Sequence, residues 1–186
     1  MKKIFTTILM SLICLTYVGA KAEEKNMTDK KVLVAYFSAT GVTAKVAEKL
    51  AKVTSGDLFE IKPLTPYSNA DLNWMDKQSR SSIEMSDHRS RPEIANKVDD
   101  ISKYDVIFVG FPIWWYREPS IIDTFMESYD FTDKMIVPFA TSGGSSIGQS
   151  GENMQKLAPS AKVFMGDRFE SKVSEEELKS WAEVWL

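Results

Sequence analysis

The chain has 186 residues, 44% hydrophobic and 26% charged, with a formal net charge of −3: enough for one ordinary domain, and a composition that excludes bulk disorder and collagen-like repeats. One cysteine and one histidine exclude a disulfide framework and a multi-histidine metal centre, so no metal ligands are assigned. The acidic balance excludes a nucleic-acid binder, which needs a concentrated basic face.

The first predicted element is a targeting segment. Lys2 and Lys3 precede an uncharged, largely apolar run from Ile4 to Ala20, then Ala20-Lys21-Ala22 and Glu23-Glu24. This pattern predicts a secretory signal over 1–22, a flexible leader over 23–30 and export to the periplasm without stable membrane insertion. A retained anchor is the alternative, since the run approaches the roughly 17-residue minimum for a spanning helix. Cys14 lies inside the run rather than at its end, which argues against a lipidated cysteine. Cleavage leaves 20 basic residues against 26 acidic ones, a net charge of −6, and no cysteine, so thiolate chemistry is excluded as well.

The folded domain is expected over 31–186. Val32 to Phe37 is an unbroken apolar run, as in a strand buried on both faces. Ser38-Ala39-Thr40-Gly41 makes a small polar turn, and Val42, Val46, Leu50 and Val53 mark a helix that Gly56 stops. Asp57 to Ile61 alternates loosely, as an edge strand ended by Pro63 and Pro66. Asn69 to Ser82 is weakly helical, Ser86 to Arg91 is a charged loop with His88 exposed in it, and Ile94, Val98 and Ile101 predict a short helix.

Asp105 to Gly110 is a second buried strand, followed by the loop Phe111 to Glu118 and a helix with Pro119 in its first position. Ile121, Ile122, Phe125, Met126 and Tyr129 form its inward stripe. Met135 to Ala140 is a third buried strand, Ile147 to Leu157 a helix, and Lys162 to Met165 a short strand. Ser174 and Glu177 form a capping box for a last helix carrying Leu178, Trp181 and Trp185. Such alternation gives an α/β fold, a parallel sheet with helices on both faces.

In open sheets of this class ligands bind beyond the carboxyl ends of the strands. The first candidate loop carries Ser38, Thr40 and Thr43 around Gly41 at a helix start, where free amides and the helix dipole favour a phosphate. It lacks the lysine of a triphosphate loop and the three glycines of a dinucleotide fingerprint; an ordinary hydroxyl cap is the alternative. The second, Pro112-Ile113-Trp114-Trp115-Tyr116, offers indoles on which a flat ring can stack, or else folds onto its own core. The third, Thr141-Ser142-Gly143-Gly144-Ser145, offers amides that a ring edge can approach, although Gly-Gly also makes a plain turn. No serine has a credible base, since the one histidine sits in a polar loop, so a hydrolase triad is set aside.

Together the Ser-x-Thr-Gly-x-Thr, Pro-Ile-Trp-Trp and Thr-Ser-Gly-Gly-Ser loops make the chain, from Lys31 to Leu186, similar to the flavodoxin family. Tyr67, Asp71, Arg80 and Glu84 also look like that group's segment between the second and third strands. The resemblance implies a flavodoxin-like doubly wound sheet of five parallel strands in order 2-1-3-4-5. It implies FMN as cofactor, with its phosphate on Ser38, Thr40, Gly41, Val42 and Thr43, and its ring against Pro112, Ile113, Trp114, Trp115, Thr141, Ser142, Gly143 and Gly144. Electrons would pass between NAD(P)H or a redox partner protein and a small acceptor, in a monomer or homodimer. Two departures point to a reductase that passes two electrons as hydride at least as readily as a one-electron shuttle, with quinone-like acceptors as its expected substrates and a pure one-electron carrier as the alternative. Trp115-Tyr116 has no glycine to take a positive backbone angle, and the third loop has no tyrosine to cover the flavin face. A flavin-free binding module is the third reading.

Overall fold

Strands and helices alternate from Val32 to Ala182 in a computed structural model that describes residues 30–186; the expected signal over 1–22 and the expected leader over 23–30, apart from Lys30, lie outside the described residues. The strands are β1 (Val32–Tyr36), β2 (Asp57–Glu60), β3 (Val106–Pro112), β4 (Met135–Thr141), β5 (Lys162–Val163) and β6 (Asp167–Phe169). The helices are α1 (Val42–Thr54), α2 (Arg80–Ser86), α3 (Ser120–Glu127), α4 (Ser150–Leu157) and α5 (Glu175–Ala182). All pairings between strands are parallel, in the order β2-β1-β3-β4-β5, with β6 also on β4. β5 and β6 thus share the fifth position.

The period of two in each strand explains why the central runs read as continuously apolar. Val32, Val34, Tyr36, Val106, Phe108, Val137 and Phe139 face one side, where they meet Val46, Ala47 and Leu50 of α1 and Leu178 and Ala182 of α5. Leu33, Ala35, Ile107, Val109, Phe111 and Ile136 face the other, against Ile121, Ile122, Phe125 and Met126 of α3 and Met154 of α4. β2 pairs only with β1 and is mostly exposed, as an edge strand is. At α5 the Ser174 hydroxyl accepts from the Glu177 amide at 3.1 Å, and Trp181 packs on Phe108 and Phe169.

The fifth strand is not the single run expected over Lys162 to Met165. Lys134 and Ile136 present their carbonyls to Lys162 and Phe164, whereas Met135 donates to Asp105 of the other neighbour. Even-numbered residues of β4 therefore face the fifth strand, and Pro138, which has no N–H, leaves a missing rung there. The chain bulges at that level. Gly166 turns through φ 71° so close to Pro138 that a Cβ would lie 1.9 Å from its carbonyl oxygen.

The connection from Ile61 to Tyr104 differs most from expectation. The only helix in it is α2, capped by Ser79, whose side chain accepts from the Ser82 amide; Asn69 to Gln78 is a series of turns, with Asp71 bound to the Ser68 amide and hydroxyl. Ile94 to Ile101 is not helical. Pro63 and Ile94 bridge antiparallel, and Asn96 ties down the Glu60 carbonyl and the Lys62 amide. Ile94, Val98 and Ile101 still turn inward, so burial, not helix formation, produced their spacing. Helix boundaries also move, and α4 starts at Ser150 rather than Ile147. Ser55 rather than Gly56 takes the left-handed cap of α1, Gly56 instead allowing close approach to Val32, and Pro119 is the N-cap of α3 rather than its first helical residue.

Candidate functional site

The three candidate loops meet at the carboxyl ends of β1, β3 and β4. Phe37 donates to the Gly110 carbonyl and Ile113 to the Thr141 carbonyl. Deeper still, the hydroxyls of Thr43 and Thr141 are 2.9 Å apart and buried, joining the first loop to the third. Thr43 is therefore a brace, whereas Ser38 and Thr40 keep their hydroxyls for other work.

At the first loop the N-cap of α1 is Gly41, which sits at φ 81° and supplies no side-chain cap; no acidic residue occupies the first turn. An ordinary hydroxyl cap is thus not what these residues form. The Ser38 hydroxyl is buried without a hydrogen-bond partner, Thr40 is exposed beside it, and Val42 is exposed at the first position of the helix. Unpaired amides, the positive end of the helix dipole and an orphaned hydroxyl are the donor set of an anion site.

The second loop is a tight turn in which Trp114 and Arg117 exchange two backbone hydrogen bonds, 2.9 and 3.0 Å. Between them Trp115 and Tyr116 have φ 44° and 65°. The expectation that bulky residues here resist positive φ is therefore wrong. Both adopt it, at roughly 1–3 kcal/mol each. Trp114 is half-buried, edge-on to Phe37 and Tyr67 with centroids 5.6 and 5.4 Å away, whereas Trp115 is 43% and Tyr116 80% exposed. Pro112 ends β3, and Ile113 follows it, half-buried. In the third loop the Ser142 hydroxyl donates to the Ser145 carbonyl and accepts from the Gly144 amide. A Cβ on Gly143 or Gly144 would meet nothing within 4 Å, so no protein neighbour requires glycine there, and a closely approaching ligand would.

A cavity of about 390 Å³ lies against the second and third loops, lined by Ile113, Trp114, Trp115, Tyr116 and Ser145 and, from the long connection, by Leu72, Trp74 and Ser81. Sequence reasoning did not reach Trp74. Its signal was an indole in the polar run Asn73-Trp74-Met75-Asp76, and it is 71% exposed. Tyr67, Arg80 and Glu84 do come together. The Tyr67 hydroxyl donates to Glu84 at 2.5 Å, Arg80 binds Glu84 at 2.6 Å and caps the Tyr67 ring at 4.0 Å. Asp71 stays apart, holding Ser68.

The sequence profile of the family described as Flavodoxin matches residues 31–185. The chain belongs to the flavodoxin family. A Bacteroides eggerthii DSM 20697 protein assigned provisionally as a flavoprotein is 47% identical at a TM-score of 0.76, over 84% of this chain and 98% of its own. A flavoprotein of Lactobacillus acidophilus NCFM, solved in complex with FMN, is 25% identical at a TM-score of 0.60, over 82% and 99%. A flavodoxin from the domain Archaea, 16% identical at a TM-score of 0.50 over 81% and 90%, shares the fold. Curated proteins give no match.

Behind the aromatic turn this flavodoxin-family chain buries an ionic cluster. Arg117 Nη2 donates to Glu118 at 2.6 Å and Asp123 at 2.5 Å, and both of these residues are buried. Its Nη1 is 2.7 Å from Nδ1 of His88, which must accept because a guanidinium only donates. His88 is thus exposed, as expected, but engaged. Asn153 binds Glu118, and Arg91, held by Glu127, lies 3.7 Å from Asp123. Asp123 in the apolar stripe of α3 was the sequence signal for this cluster. Burial outweighs Arg117 and pushes the Asp123 carboxyl up to about 7. The folded state therefore holds this proton while the unfolded chain releases it, and stability falls as pH rises from about 4 to about 7. Between pH 4.5 and 7.5 the denaturant midpoint is expected to fall further in the native chain than in Asp123→Asn; an equal fall in both would remove Asp123 as the cause.

Proposed function

We propose that the chain binds one FMN at the three loops and uses it for electron transfer, taking electrons from NAD(P)H and reducing a small quinone-like acceptor. One observation carries the reading: a buried, partnerless Ser38 hydroxyl at an uncapped helix start, in the same loop cluster as a cavity walled by Trp114 and Trp115. The complex of the Lactobacillus acidophilus flavoprotein with FMN supports it.

In this reading Ser38, Thr40 and the amides of Gly41, Val42 and Thr43 hold the phosphate. Pro112, Ile113, Trp114 and Trp115 cover the ring, and Thr141, Ser142, Gly143 and Gly144 present backbone to its polar edge. The redox chemistry belongs to the flavin when bound; the protein tunes it by stacking and hydrogen bonds. Trp114 excludes water from one side, and the small residues of the third loop leave the other open to a reactant. That open face favours two-electron transfer to a reactant, whereas the turn, already at positive φ, does not.

The chain from Glu23 onward is expected to purify yellow, or to take up one equivalent of FMN and then oxidise NADH or NADPH with a quinone present. A colourless protein that ignores added FMN supports the flavin-free module instead. Bound FMN without NAD(P)H oxidation supports the carrier.

A further inference from the structure

Two successive aromatic residues at positive φ need something to hold them, and the turn's own hydrogen bonds do not. Reciprocal bonds between Trp114 and Arg117 close two-residue turns of more than one hand, and neither Trp115 nor Tyr116 is glycine, asparagine or aspartate, the residues that favour this one. Two external contacts select it. On one side Tyr116 is pressed by Gly148, where a Cβ would lie 2.7 Å from the Tyr116 carbonyl oxygen. On the other, the Arg117 side chain runs inward, its guanidinium shared between Glu118 and Asp123 and touching His88. A fork held by the buried Glu118 carboxylate and the buried Asp123 carboxyl group fixes the direction of the residue that carries it far better than a single surface pair does.

We infer that Arg117 is a positioning residue of the flavin site: anchored by Glu118 and Asp123, it holds Trp115 and Tyr116 in their left-handed conformation and so fixes the backbone and indole that border the ring cavity. The inference rests on the flavin reading for its purpose, but the holding role is measurable without flavin. Arg117 makes no hydrogen bond or ion pair with the first or third loop; it acts through the turn. Arg91 sits behind Asp123, and Asn153 behind Glu118, so the anchor is itself braced from the connection before β3 and from α4. Lys156, further along α4, completes the rim of a 590 Å³ cleft behind the turn.

The test compares the full chain with Arg117→Met and Arg117→Lys. In the absence of FMN, a strong intraresidue amide-to-Hα NOE at Trp115 and Tyr116 reports positive φ; it is expected in the native chain and weakened in Arg117→Met. FMN affinity is expected to fall about tenfold in Arg117→Met, and in Arg117→Lys by less, since an ammonium keeps the charge but not the fork. Tyr116→Gly should make the anchor dispensable, so Arg117→Met should cost clearly less affinity in that background. A purely structural Arg117 would lower the denaturant midpoint and leave the NOEs and the affinity of the folded protein unchanged, which overturns the inference. An equal loss of affinity with and without Tyr116→Gly also overturns it. If Arg117→Met does not fold, Arg117→Lys answers the NOE and affinity questions by itself. A native chain that ignores FMN sinks the flavin reading alone, leaving the NOEs to judge whether Arg117 holds the turn.

Discussion

Riboflavin, the same ring system without the phosphate, is expected to bind the native chain at least about 100-fold more weakly than FMN, and Ser38→Ala/Thr40→Ala is expected to erase most of that difference. The reason is the donor set at the start of α1. A phosphate there would accept from unpaired helix amides, from Thr40 and from the otherwise partnerless Ser38 hydroxyl. Hydrogen bonds to a charged group contribute about 1.5–3 kcal/mol each, so losing two of them costs roughly 3–6 kcal/mol, or about two to four powers of ten. Riboflavin affinity should not change in the double variant. Isothermal titration with both ligands decides it. An unchanged FMN-to-riboflavin ratio would mean that the phosphate lies elsewhere. Folding should be almost unaffected, because both hydroxyls lack protein partners that the change would strand.

The second large effect is expected at Trp114, and its signature is the opposite one. Trp114→Ala removes a half-buried ring from contact with Phe37 and Tyr67, which should destabilise the fold by about 3 kcal/mol, the lower end of the range for a large aromatic truncated in a core. Affinity should fall by about tenfold or more for FMN and riboflavin alike, since ring contact does not distinguish them. Trp114→Phe should restore most of the stability. Urea midpoints and paired titrations separate the two contributions. Stability lost without any change in affinity would leave Trp114 a core residue only, as its alternative reading had it.

Much of this was legible in the residues because the signals were local. β1, β3 and β4 announce themselves as unbroken apolar runs since both faces of each are covered by helices, and Ser174 announces α5 by a bond three residues long. What escaped depends on partners distant in sequence. Nothing near Lys162 says that its strand must break; that follows from Pro138, a strand away, which faces the fifth strand with no N–H to donate. The spacing of Ile94, Val98 and Ile101 is helical, but Asn96 and the Pro63 bridge give the backbone better partners than a helix would. The aromatic turn was misread for a related reason. Its angles are imposed from behind by Arg117 and Gly148, not chosen by Trp115 and Tyr116 themselves. Trp74 reaches the cavity only because α2 and its preceding turns are folded over the second loop.

The buried hydroxyl pair of Thr43 and Thr141 has a polarity as well as a length. Each oxygen carries a single hydrogen, and one of the two hydrogens is used up between them, so only the threonine that accepts has its own left to offer outward. A guest acceptor beside Thr43 turns Thr141 into the inner donor; a guest acceptor beside Thr141 reverses the pair. The two ends of any molecule lying across these loops therefore compete for one proton position, and filling one end dictates which way the dipole points at the other.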